Sequence, residues 1–116
     1  MADIESFLKN GADVNTKDGR GFSLLMCCSK NNDTHSVNTL LSYGVKVNNK
    51  DTKGFTALDY AIRENNLLIV KLLVDNGANI SDNSYMLAMQ KRLKNIIHYF
   101  DSLDDNKQIF LKKKRN

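Results

Sequence analysis

The sequence predicts an all-α fold, a solenoid of stacked helix-turn-helix units with projecting turn fingers, and three observations predict it. Gly11, Gly44 and Gly77 stand 33 residues apart, and the same step carries Asp18 to Asp51, Gly21 to Gly54, Phe22 to Phe55 and Leu25 to Leu58. The apolar residues ahead of each glycine recur in register, Ile4 with Val37 and Val70, Phe7 with Leu40 and Leu73, Leu8 with Leu41 and Val74. Within one period a turn, a helix-length run, a polar break and a second apolar run follow one another before the glycine. Such a unit is too small to bury its own apolar face, so neighbours must stack to make a continuous core.

The elements follow in order along the chain. Residues 1–17 hold a half repeat: Ala2 to Asn10 matches only a second helix, and no first helix stands beside it. Ile4, Phe7 and Leu8 are therefore expected to be partly uncovered, which leaves three readings: a fragment of a longer array, a self-associating chain that dimerises through this end, or a frayed start. The fragment, or a truncated gene, is the favoured one. Residues 18–50 and 51–83 form two full repeats. In the second, Asp51 to Phe55 reads as a turn and Thr56 as the N-cap of a first helix, because its side-chain oxygen can accept from an orphan N–H of the first turn. Ser23 takes that part in the repeat before. Asn65 and Asn66 break the pattern, Leu67 to Asp75 reads as the second helix, and Gly77 ends it in the left-handed conformation. Residues 84–103 align on the preceding repeat with a step of 27, Ala88 on Ala61, Ile96-Ile97 on Ile69-Val70 and Phe100 on Leu73. This predicts a capping repeat with its finger deleted and helices near Ser84 to Lys91 and Lys94 to Leu103. Residues 104–116 read as a polar, basic tail.

Asp51 and Gly54, Thr56-Ala57-Leu58, Ala61, Ile69-Val70-Lys71-Leu72-Leu73 and Asp75-Asn76-Gly77-Ala78 resemble the pattern of the ankyrin-repeat family nearly position by position. The resemblance implies an ankyrin-repeat solenoid. Ser23-Leu24-Leu25-Met26 stands where that family has a Thr-Pro-Leu-His tetrapeptide, and Asp59 also stands where it has the histidine. That histidine joins neighbouring repeats by hydrogen bonds, so its absence implies a less stable array.

Composition narrows the function. Of 116 residues, 41% are hydrophobic and 26% charged, which suits a small folded core. No apolar run approaches the ~20 residues of a membrane helix, and no secretory leader is readable at Met1 to Lys9, so a soluble, intracellular chain, cytoplasmic or nuclear, is expected. The adjacent pair Cys27 and Cys28 suits neither a structural disulfide nor a metal site and fits a reducing compartment. The net charge is +4. Lys112, Lys113, Lys114 and Arg115 account for that excess, as a solubilising tail, a nuclear import signal or a nucleic-acid tether.

The resemblance implies that partners bind the concave side formed by fingers and first helices. Carried over residue by residue, the outward positions are Lys17, Gly19, Arg20, Phe22, Lys30 and Asn31 in one repeat and Lys50, Thr52, Lys53, Phe55, Arg63 and Glu64 in the next. Lys17, Arg20, Lys30, Lys50, Lys53 and Arg63 make that surface basic, and Phe22 with Phe55 would form a spaced aromatic pair if exposed. An acidic partner surface or peptide with apolar anchors would suit it. The plainer reading is that the lysines are solvated and each phenylalanine folds back on its turn. Cys28, aligned with Ala61, reads as core, and a reactive thiol lacks any pattern to lower its pKa. His35, in the connection between helices, and His98, on the last unit, have no second ligand at helical spacing. No nucleophile-base pair, phosphate-cradling loop or carboxylate pair points to catalysis, and no cofactor or metal is expected. The sequence predicts a protein-interaction module, part of an adaptor or host-interacting protein, not an enzyme. The alternative is a nucleic-acid-associated protein using the basic fingers and tail, which the nearly neutral body disfavours.

Overall fold

The computed structural model describes residues 4–103, which form seven helices. These are α1 (Ile4–Lys9), α2 (Leu24–Lys30), α3 (Thr34–Ser42), α4 (Ala57–Arg63), α5 (Leu67–Asp75), α6 (Asp82–Gln90) and α7 (Lys94–Ser102). The basic tail, Lys112 to Arg115, lies outside the described residues. Helices α2, α4 and α6 stack side by side in one layer, and α1, α3, α5 and α7 in the other, with α2 on α3, α4 on α5 and α6 on α7 closing the pairs.

Local chemistry sets where α2 to α6 begin, whereas α7 follows Leu93 with no side-chain cap. Ser23 and Thr56 take extended backbone, and their hydroxyls accept from the N–H of Met26 and Asp59, both at 3.2 Å. The third residue of each helix closes the box in return, the Met26 sulfur accepting from Ser23 N–H at 3.4 Å and the Asp59 carboxylate from Thr56 N–H at 3.1 Å. The second helices α3 and α5 are capped by Asp33 and Asn66, which accept from the N–H of Ser36 and Ile69. The one-residue hinge between paired helices is left-handed at Asn32, Asn65 and Arg92, with φ of 60°, 55° and 57°. Those positions are 33 and then 27 residues apart. Asparagine adopts this region readily; arginine does so at some cost. Gly11, Gly44 and Gly77 are left-handed just past α1, α3 and α5.

Packing then joins the units. Val37, Leu40, Ile62, Ile69, Val70, Leu73, Ile96 and Phe100 are fully buried. Each such aliphatic or aromatic side chain contributes about 1.5–3 kcal/mol relative to exposure. Hydrogen bonds repeat with the period as well: Asn15 Oδ1 accepts Lys46 N–H, and Asn48 Oδ1 accepts Asn79 N–H, both at 2.8 Å.

Three expectations are corrected. The last unit has its first helix starting at Asp82, two residues before Ser84, because the Ser81 hydroxyl accepts from Ser84 N–H at 3.0 Å and caps it there. His35 sits in the first turn of α3 and not in a connection, because Asp33 caps that helix. Leu8 is buried against the core, since α1 packs on α3; Ile4 is half-buried, and only Phe7 of that trio stands out, 52% exposed. Of the two helix-starting positions without histidine, Asp59 joins its neighbour, its Oδ1 accepting the Ser84 hydroxyl at 2.6 Å across the α4–α6 boundary, whereas the Met26 sulfur accepts within its own cap.

Candidate functional site

Two fingers project from the stack, residues 10–23 between α1 and α2 and residues 43–56 between α3 and α4, whereas residues 76–81 link α5 to α6 without one. One aspartate organises each finger. Asp18 Oδ1 accepts the N–H groups of Arg20 and Phe22 at 2.9 and 3.0 Å, and Asp51 Oδ1 accepts those of Lys53 and Phe55 at 2.9 and 3.0 Å. These bonds draw each turn tip back over its own helix start. Between fingers, Thr52 N–H donates to the Arg20 carbonyl at 2.8 Å. That approach is close enough that a Cβ on Gly21 would lie 3.2 Å from Asp51 Cα. Gly21 also has φ +73°, so glycine serves the turn and the spacing together.

Tyr60 on α4 stands between the fingers. Its ring meets Phe22 edge-on at 5.5 Å and Phe55 at 5.7 Å between centroids. Phe22 and Phe55 are thus half-buried flanks of a three-ring cluster and not an exposed pair, in keeping with the plainer of the two readings of these phenylalanines. The reason is the size of Tyr60, which fills the space that Cys27 occupies one repeat earlier. The Tyr60 hydroxyl donates to Asp51 Oδ2 in a buried hydrogen bond. Burial and that bond push the phenol up to about 12. Burial pushes the Asp51 carboxyl up too, but the Tyr60 hydroxyl and the N–H groups of Phe55 and Lys53 override it and hold it below the usual carboxylate value.

Cations lean on the rings. The Arg20 guanidinium lies 5.7 Å and the Lys30 ammonium 6.0 Å from the Phe22 centroid, and Arg63 lies 5.3 Å from Phe55 and 5.5 Å from Tyr60. Arg20 is also paired with Asp18 at 3.1 Å. No carboxylate of the described residues lies within ion-pair distance of Lys30, Lys53 or Arg63.

Five of the eight predicted partner-binding residues, Arg20, Phe22, Lys30, Lys53 and Arg63, line one cleft of about 150 Å³ together with Asp51, Thr52 and Tyr60. Lys50 and Phe55 instead line a wider groove of about 460 Å³ with Lys53, Met86, Leu87 and Gln90, open because no third finger covers α6. Lys17 is exposed and lines neither. Tyr60 and Asp51 were not among the expected binding residues. The available signal was a large aromatic at Tyr60 where the equivalent position, Cys27, is small. Cys28 is core, its thiol lifted to about 11 chiefly by burial, and Cys27 is half-buried. Among the described residues no three of His, Cys, Asp and Glu gather in a metal-binding group, and no helix is long and apolar enough to cross a membrane.

A family model for ankyrin repeats, in three copies, matches residues 2–84. The α6–α7 pair lies almost wholly beyond that match. No curated protein matches the chain.

Proposed function

This chain belongs to the ankyrin-repeat family, whose repeats are generally non-enzymatic protein–protein interaction modules, and we propose that it binds an acidic segment of a partner protein on its concave side. The observation that carries the reading is the convergence of Arg20, Lys30, Lys53 and Arg63, from two fingers and two helix ends, on one cleft floored by Phe22 and Tyr60. Arginine over aromatic rings at a concave surface is the composition of a binding hot spot, where charge selects the partner and the rings supply area. The neighbouring groove at Lys50, Phe55 and Met86 extends the surface toward α6 and offers an apolar anchor site. An adaptor or host-interacting role fits an interaction module of this family.

Selection of random displayed peptides on the full chain tests this. The expected winners are rich in Asp and Glu with one aromatic or aliphatic anchor, and they lose at least about tenfold in affinity on the Lys53→Glu, Arg63→Glu double variant, equivalent to about 1.4 kcal/mol. Lys71→Glu, on the opposite layer, leaves them bound. Winners that bind the double variant unchanged, while its circular dichroism melt matches the parent, would overturn the reading.

A further inference from the structure

We propose that the cleft between the two fingers receives a phosphomonoester on a side chain of the partner protein. This rests on the protein-binding reading above and narrows it to one chemical group.

Charge points there. The lining holds four cations, Arg20, Lys30, Lys53 and Arg63, against one carboxylate, Asp51, so 4 − 1 leaves a formal +3; counting Asp18, which pairs with Arg20 beside the cleft, leaves +2. Asp51 is already engaged by the Tyr60 hydroxyl and two backbone N–H groups, so it satisfies no cation edge in the opening. A carboxylate would neutralise one charge, whereas a phosphomonoester carries roughly −1.5 to −2 near neutral pH and three acceptor oxygens.

Geometry agrees. Arg63 lies over the rings of Phe55 and Tyr60, so aromatic faces hold its planar group and leave its N–H edge for a forked contact, while Arg20 lies over Phe22 and gives one N–H to Asp18. Lys30 and Lys53 add point charges. The cleft, of about 150 Å³, has room for a phosphoryl group. Arg20 and Lys53 are equivalent positions of successive repeats, as are Lys30 and Arg63, so the quartet arises from stacking two similar units. The last unit does not renew it: Gln90 replaces the helix-end cation, and no finger is present. Four of the cations therefore share one cleft, which favours a single dianion over a polynucleotide backbone.

The experiment titrates the labelled full chain at constant ionic strength with phenyl phosphate, benzoate, dimethyl phosphate and a short oligothymidylate, following the arginine side-chain signals of Arg20 and Arg63 by NMR. The expected result is saturation by phenyl phosphate at least about fivefold tighter than by benzoate or dimethyl phosphate, because of its second charge. Arg63→Gln then weakens it about tenfold, the loss of a charge-assisted hydrogen bond, while Lys71→Gln does not. Equal response to benzoate, with acidic peptides still sensitive to the double variant, sinks the phosphate assignment and leaves the protein-binding reading standing. Oligothymidylate that binds more tightly than phenyl phosphate, with affinity falling steeply in salt, replaces the assignment with nucleic-acid binding. If neither peptides nor phenyl phosphate perturb the cleft, both readings fall.

Discussion

The Ser84 hydroxyl donates to the carboxylate of Asp59 at 2.6 Å, across the boundary between α4 and α6. Both residues are buried, and the same carboxylate also closes the capping box of α4 through Thr56 N–H. Asp59 thus couples the start of one helix to its neighbour. Ser84→Ala is expected to cost about 1–2 kcal/mol and Asp59→Ala about 3 kcal/mol, since the latter leaves two donors without their acceptor. Urea denaturation of both singles and the double variant checks this; additive losses would mean that the two side chains do not act together.

The Asp51–Tyr60 bond makes stability depend on pH at both ends. Asp18, Asp33 and Asp51 have folded values below the usual 3.8, so their contribution is present above 3.8 and is lost as pH falls through the folded values. Tyr60 is raised from 10.0 to about 12, so its contribution is full below pH 10 and is lost as pH rises from 10 through about 12. Tyr60→Phe is expected to melt lower than the parent at pH 7 and to lose less on going to pH 11.5. A shallower alkaline loss remains, since burial also raises Tyr99. Melting curves at pH 7, 9 and 11.5 decide, and parallel losses for parent and variant would count against the bond.

Gly21 and Gly54 are equivalent, left-handed at +73° and +85°, yet they differ in surroundings. Alanine at either position costs about 1–2 kcal/mol for the left-handed backbone. At Gly21 the new Cβ also meets Asp51 Cα at 3.2 Å and the Lys50 carbonyl at 3.4 Å, whereas nothing lies within 4 Å at Gly54. Gly21→Ala is expected to cost about 1 kcal/mol more than Gly54→Ala, as backbone that cannot yield like a flexible side chain is pushed aside. It should also weaken phenyl phosphate by moving Arg20 away from Lys53. Denaturation midpoints and the NMR titration read the two effects separately.

Ser29 is fully buried on α2, and its hydroxyl has no hydrogen-bond partner. The equivalent position in the next repeat is Ile62, also fully buried, so the site favours an apolar side chain. Ser29→Ala is expected to stabilise the chain by about 1 kcal/mol, the cost of an unmet buried hydroxyl. A calorimetric melt shows a rise if that is right; a lower melting temperature would reveal an ordered water or a bond made by this group.

Much of this protein was legible in its residues because the information was local. The 33-residue step, the capping oxygens of Ser23 and Thr56, and the stops at Gly44 and Gly77 depend on backbone conformation and hydrogen bonds within a few positions. The last unit could be aligned with a step of 27, and the left-handed hinge at Arg92 lies 27 residues after that at Asn65. The first helix of that unit began early because Ser81, outside the aligned segment, supplied a better cap than the register implied. The candidate surface was half legible: the resemblance to ankyrin repeats placed Arg20, Lys30, Lys53 and Arg63 on one side of the stack. What tertiary structure decided was how side chains meet across the step. Tyr60 drew Phe22 and Phe55 inward, Asp59 found Ser84, Leu8 was covered while Phe7 was not, and five expected binding residues closed on one cleft that Lys17 does not reach. Those outcomes depend on the separation and volume of neighbouring units, which no periodicity encodes, since a period says which residues are equivalent and not what fills the space between them.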